Sequence, residues 1–186
     1  MRGAKKETLP PISLRNLRGR IREITMLSNQ FWDIINASSD ESGATSEKLV
    51  SHLKSLPDDA VVSFRKEFYQ GLMNLNRWDI WGAGYVMAGG MGDDSFHYFR
   101  SWIIGKGKNA YETALRSPDD LGSFASEDDE FENELLEYAV LDVLEERELD
   151  DPADDFEGSP DDAPQGKAWD EDNVYDLYPK LSEQFN

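Results

Sequence analysis

Through the middle of the chain the hydrophobic positions recur at three- and four-residue steps, the spacing of amphipathic helices. In SNQFWDIINAS, Ser28 or Asn29 can cap a first helix whose apolar face is Phe31, Trp32, Ile34 and Ile35. The polar stretch 37–45 reads as a loop. SEKLVSHLKSL (46–56) places Leu49, Val50, Leu53 and Leu56 on one stripe. After Pro57, residues 57–75 begin with acidic side chains, which a helix N-terminus favours, and carry Val61, Phe64, Phe68, Leu72 and Leu75 along one face. Asn76 is the next candidate cap. Beyond it Trp78, Trp81, Tyr85 and Ala88 share a stripe, with Ile80, Ala83, Gly84 and Met87 beside them. A helix apolar over most of its circumference is a central one. Gly82 and Gly84 each cost it about 1 kcal/mol relative to alanine, which implies a neighbour crossing closely. Gly89 and Gly90 end it. Asp93 or Asp94 is then the expected cap of SFHYFRSWII, whose core residues are Phe96, Phe99, Trp102 and Ile103. A short helix follows at 109–117. The last spans 127–148, with Phe131, Leu135, Tyr138 and Asp142 on one side and Leu136, Val140, Val143 and Leu144 beside them. No segment alternates with the period of a strand. The pattern predicts an all-α fold: a single compact orthogonal helical domain of about six or seven helices with flexible N- and C-terminal extensions.

Charge divides the chain more sharply than hydropathy does. From residue 127 onward there are 23 acidic side chains and three basic ones, leaving 15 acidic and 16 basic in 1–126, out of totals of 38 and 19. Three segments result: a basic N-terminal arm (1–27), a near-neutral helical domain (28–148) and an acidic-aromatic tail (149–186). The arm carries Arg2, Lys5, Lys6, Arg15, Arg18, Arg20 and Arg22, and Leu14, Leu17, Ile21 and Ile24 recur there at helical spacing. The tail is rich in charge, proline and glycine, so most of it is expected to be disordered. Its end is different: Trp169, Val174, Tyr175, Leu177, Tyr178, Leu181 and Phe185 punctuate the acids. Such a segment is either a docking peptide for a partner or a strap lying on its own domain. With no cysteine, disulfides, thiolate catalysis and cysteine-ligated zinc are excluded, which fits a cytoplasmic protein. No apolar run is long enough to cross a membrane.

The stretch NRWDIWGAGYVMAGGMGDDSFHYFRSWIIGKG (76–107) holds three of the five tryptophans. Its pattern, R-W-D-x-W-G-A-x-Y, then G-G, then D-D-x-F-x-x-F-R-x-W, resembles a bacterial family known only as domain of unknown function 4240. FWDIINAS and the later YETAL fit the same family, and the resemblance covers about residues 29–147. It implies a small helical protein and no established activity, substrate or cofactor. The matching positions are Arg77, Trp78, Asp79, Trp81, Gly89, Gly90, Asp93, Asp94, Phe96, Phe99, Arg100 and Trp102. The arm and the tail lie outside it.

The residues admit two chemical readings. Asp79, Asp93, Asp94, His97 and Arg100 form a candidate catalytic or ligand-binding set, in which paired carboxylates take a metal, the imidazole moves a proton and the guanidinium clamps an anion. The other reading is structural: the aspartates cap a helix, Arg100 pairs with Asp79 or Asp93 to join two helices, and Asp79 meets a tryptophan indole N–H. The structural reading leads. No phosphate loop, zinc motif, nucleophile elbow or dinucleotide fingerprint is present, and neither a metal site nor a cofactor is expected. His52 reads as a boundary residue. The expected function is therefore a non-catalytic protein-interaction or regulatory module. Its binding residues would be Arg77, Trp78, Asp79, Trp81 and Arg100 on the platform and Trp169, Tyr175 and Tyr178 on the tail. The expected partner is another protein with a basic surface; direct nucleic-acid binding is disfavoured by the acidic tail.

Overall fold

The computed structural model describes residues 26–127 and 129–185; the basic arm and the helical spacing expected in it up to residue 25 lie outside the described residues. The fold is all-α, as the periodicity predicts. In chain order the helices are α1 (Asn29–Ala37), α2 (Ser46–Leu53), α3 (Asp58–Leu75), α4 (Trp78–Ala88), α5 (Asp93–Gly105), α6 (Lys108–Arg116), α7 (Glu134–Glu146), α8 (Val174–Leu177) and α9 (Pro179–Phe185). Among the described residues the 3-10 segments Pro118–Phe124 and Pro152–Asp155 lie between them. The polar loop after α1 contains a small antiparallel pair, β1 (Ser39–Asp40) with β2 (Gly43–Ala44), in which Ser39 faces Ala44.

Helix α3 packs against α1, α5 and α7, and α2 lies along α7. The α3 stripe is fully inside, with Phe64 stacked on Phe31 at 4.9 Å and Val61, Phe68, Leu72 and Leu75 wholly buried. Each such side chain contributes about 1.5–3 kcal/mol through burial. Ser28 caps α1, its hydroxyl accepting from the Phe31 amide at 3.1 Å. Leu27 already packs beside Gly71, one residue ahead of that cap.

Both central glycines have a reason. A Cβ on Gly84 would lie 2.8 Å from the Phe99 ring, so the missing side chain lets α4 and α5 approach. A Cβ on Gly82 would instead meet Tyr178, which belongs to the tail. Gly89 ends α4 at φ 67, a conformation glycine adopts without strain.

Three local expectations are corrected. The last helix starts at Glu134 and not at 127. The Asp129 carboxylate accepts from the Ser126 amide (2.7 Å) and hydroxyl (2.8 Å), from Lys106 (2.8 Å) and from the Trp102 indole (3.3 Å), which holds a turn there. Phe131 then sits at φ 57, outside the helical region. As a result the buried face of α7 is Leu136, Val140, Val143 and Leu144, while Leu135 and Tyr138 are 59% and 46% exposed. Asn76 does not cap α4, because its side chain is drawn to the carbonyl of Asp162 at 2.7 Å. Neither Asp93 nor Asp94 caps α5; Gly92 is the N-cap, and the two carboxylates are exposed in the first turn, where the helix dipole favours them.

The larger difference is the tail. Where composition predicts a mostly disordered extension, the described part of 149–185 lies along the domain, the strap alternative. Its apolar side chains are few, but Tyr178 seats over Gly82, and Asp151 and Asp161 meet the buried Arg65 and Arg100.

Candidate functional site

At the start of α4 the chain runs extended through Arg77, and the tail pairs with it as a short parallel bridge. The Gln165 amide donates to the carbonyl of Asn76, and the Trp78 amide donates to the carbonyl of Gln165, both at 2.9 Å. The Arg77 guanidinium holds the Asp79 carboxylate and donates to the Leu115 carbonyl at 3.0 Å. Asp79 is thus committed to Arg77, and the indoles find other acceptors: Trp81 donates to the Met91 carbonyl and Trp169 to the Trp78 carbonyl.

An aromatic ladder stands on this base. Trp78 stacks on Trp81 at 5.2 Å, and Trp81 on Phe96 at 4.9 Å, nearly parallel in both cases. Trp169 of the tail meets Trp78 and Trp81 edge-on and leans on Tyr85 at 4.9 Å. Tyr175 approaches Tyr85 at 6.3 Å. Tyr178 seats over Gly82 and donates its hydroxyl hydrogen to the Asp79 carbonyl at 2.7 Å. Of the sequence-predicted residues, Trp78, Asp79 and Trp81 of the platform thus meet Trp169 and Tyr178 of the tail, with Arg77 beside Asp79; Arg100 lies apart from them.

The polar side chains form a second junction. Arg100 is 2% exposed; it donates to the carbonyls of Phe96 (3.3 Å), Leu72 (3.3 Å) and Pro160 (2.6 Å), and approaches Asp161 at 3.5 Å. Burial, only partly offset by Asp161 and Glu137, brings its pKa down to about 10, so it stays charged near neutral pH. It pairs with neither Asp79 nor Asp93. His97 lies between two carboxylates, Nε2 at 2.7 Å from Glu137 and Nδ1 at 2.8 Å from Asp161. Burial alone would depress the imidazole pKa; the bonds to Glu137 and then Asp161 outweigh it, with Arg100 opposing, and hold it above its ordinary value. Glu137 also takes a 2.7 Å bond from Arg65, and Arg65 grips Asp151 through two nitrogens at 3.0 Å. Burial would raise both of these carboxyl groups, but their bonds to His97 and Arg65 bring them below the usual range. Asp151, Arg65, Glu137, His97, Asp161 and Arg100 thus form one chain of opposite charges running tail, α3, α7, α5, tail, α5.

Beside this junction opens a groove of about 400 Å³. Trp81, Asp93, Asp94, Tyr98, Tyr138 and Pro160 are among its walls. Asp93 and Asp94 line it as exposed residues, His97 and Arg100 line it but are engaged by internal partners, and Asp79, the fifth of the candidate set, is not among its walls. His97 has no ring nitrogen free to exchange a proton with a ligand, and Arg100 donates inward. Among the described residues no group of three or more histidine or carboxylate side chains is arranged to hold a metal ion. His52 takes no part in this region.

Arg65, Glu137, Asp151 and Asp161 were not among the sequence candidates. Two of them carry a signal that periodicity could have shown. Arg65 follows Val61 by four positions on the α3 stripe, and Glu137 precedes Val140 by three on the α7 stripe. A charge on a buried stripe requires a partner. Asp151 and Asp161 carry no such mark in a tail full of aspartates.

A family model described as "Protein of unknown function (DUF4240)" matches residues 26–146. The chain belongs to this family. The DUF4240 region contains α1–α7 and hence the α4 platform, Arg65, His97, Arg100 and Glu137; the tail from residue 147 onward is outside the match. No curated protein and no solved structure matches the chain. Among the described residues no helix is long and apolar enough to cross a membrane.

Proposed function

We propose that this DUF4240 protein is a non-catalytic interaction module that engages a partner's basic face through the acidic side of α5 and α7. The observation that carries this reading is the pair Leu135 and Tyr138, exposed on α7 among Glu134, Asp142 and the Asp93–Asp94 rim. Aromatic and aliphatic anchors inside a ring of one charge suit recognition of a cationic protein surface, and the charge speeds the encounter. Saturation of His97 and Arg100 by internal partners supports a structural role for the polar junction over chemistry. The same acidic face disfavours direct binding to nucleic acid.

The test compares proteins retained from lysate by the immobilised wild-type chain with those retained by Leu135→Ser/Tyr138→Ser and Asp93→Asn/Asp94→Asn. A partner lost from both variants, whose purified form binds more weakly as salt rises, supports the reading. Identical capture by all three chains refutes it. The groove favours a second reading, a small-ligand or metal-dependent site on Asp93 and Asp94. Its test is a thermal-shift screen with nucleotides, divalent metals and polyamines, in which a rise in Tm that disappears in Asp93→Asn/Asp94→Asn would replace the first reading.

A further inference from the structure

The part of the tail that covers α4 has the anatomy of a bound peptide more than of a core element. Between residues 165 and 185 only Val174, Tyr178 and Leu181 are buried; Glu171 reaches the Tyr85 hydroxyl, and Asp172, Asp176 and Glu183 are exposed. Several tail side chains enter notches built by the domain. Tyr178 lies where Gly82 lacks a side chain, Gln184 where Gly122 lacks one, and Trp169 fits edge-on against the Trp78–Trp81 stack. The domain also offers backbone groups at the α4 start, the Asn76 carbonyl and Trp78 amide and carbonyl, which the tail satisfies. Few anchors in notches, separated by exposed residues, is how linear peptides dock. Without this segment Trp78, Trp81 and Tyr85, already half-buried with it in place, would form an open aromatic patch of the kind that marks interaction sites. All of this surface lies within the matched family region, and the segment lies beyond it.

We propose that the α4 face is a peptide-docking site, that residues 165–185 occupy it as a tethered competitor, and that its ligand in trans is a segment of another protein with the same anchors: aromatic and aliphatic side chains at the spacing of Trp169, Val174, Tyr178 and Leu181. The tether sets the threshold. A segment joined through a short linker acts at an effective concentration of about millimolar, so a partner segment must be abundant or better anchored to displace it. This proposal is independent of the acidic α5–α7 face.

The test keeps the whole chain. A protease site is inserted between Gly166 and Lys167, both exposed and with open space around Gly166, and the purified protein is cut there. A labelled synthetic peptide of residues 167–185 is the probe, followed by fluorescence anisotropy. The expected result is saturable, reversible exchange on the cut protein with its helical circular dichroism retained. Binding to the uncut chain should be at least tenfold weaker, and Gly82→Ala in the cut chain should weaken it at least tenfold. A scrambled peptide should not bind. The proposal is overturned if the cut segment leaves only when the domain unfolds, if the scrambled peptide binds equally, or if Gly82→Ala changes nothing. Dimers of the uncut chain that grow with concentration would make the occupant a second copy and overturn its assignment to a separate partner.

Discussion

Alanine at position 82 puts two forces in opposition. In an exposed helix, replacing glycine by alanine stabilises by about 1 kcal/mol. Here the new Cβ would lie 2.5 Å from the Tyr178 hydroxyl oxygen and 2.8 and 2.9 Å from two ring carbons, so the ring has to move. Moving it breaks the bond to the Asp79 carbonyl, worth about 1 kcal/mol. Re-exposing half of a ring that buries roughly 150 Å² costs about a further 2 kcal/mol. The net expectation is destabilisation by about 2 kcal/mol, limited to whatever free energy holds the tail in place. In a Tyr178→Ala background the clash is gone and only the helix term remains, so the same substitution should stabilise by about 1 kcal/mol. Urea unfolding of the four chains of this cycle measures both values. The reasoning is refuted if Gly82→Ala has the same sign in both backgrounds.

Other outcomes follow from the polar junction. Arg65→Met leaves Glu137 and Asp151 without their shared cation and should cost about 3–5 kcal/mol, read by the same urea transitions; a loss near zero would show the pairs to be idle. Stability should also fall on both sides of a pH window. Glu137 and Asp151 have folded pKa values below their ordinary 4.5 and 3.8, so their contribution is present above those values and is lost as pH falls through the lowered ones. His97 is raised above 6.5, so its contribution is full below 6.5 and is lost as pH rises through the raised value. Chemical denaturation from pH 3 to 9 should show both limbs, and His97→Gln should flatten the alkaline one; an unchanged alkaline limb would remove His97 from the account.

How much of this was readable beforehand depends on how locally each feature is encoded. Helices α1 to α6 are set by short-range periodicity and terminators, and Phe64, Phe68 and Phe99 were legible as core for that reason. The start of α7 was not, because the acids of EDDEFEN look helical until Asp129 is seen to gather Ser126, Lys106 and the Trp102 indole. Gly82 and Gly84 were correctly read as sites of close approach, but the partner at Gly82 is about a hundred residues away and no local rule points to it. The tail departs from its expected disorder for a physical reason. Mean hydropathy treats a segment as uniform, whereas this one is held by a handful of anchors and by Asp151 and Asp161 meeting buried bases. Of the candidate set at 79–100, Asp93, Asp94, His97 and Arg100 line one groove while Asp79 pairs with Arg77 outside it, and the partners Glu137 and Asp161 come from elsewhere in the chain.

The central claim, that the tail is a separable strap fastened to an independently packed helical domain, is tested most directly by native-state hydrogen exchange followed by mass spectrometry. The account predicts that residues 165–185, together with the Trp78 amide that donates to Gln165, open at a lower free energy than α3 and α5. Exchange of the strap and of α3 and α5 in one cooperative step, at one common free energy, would contradict it.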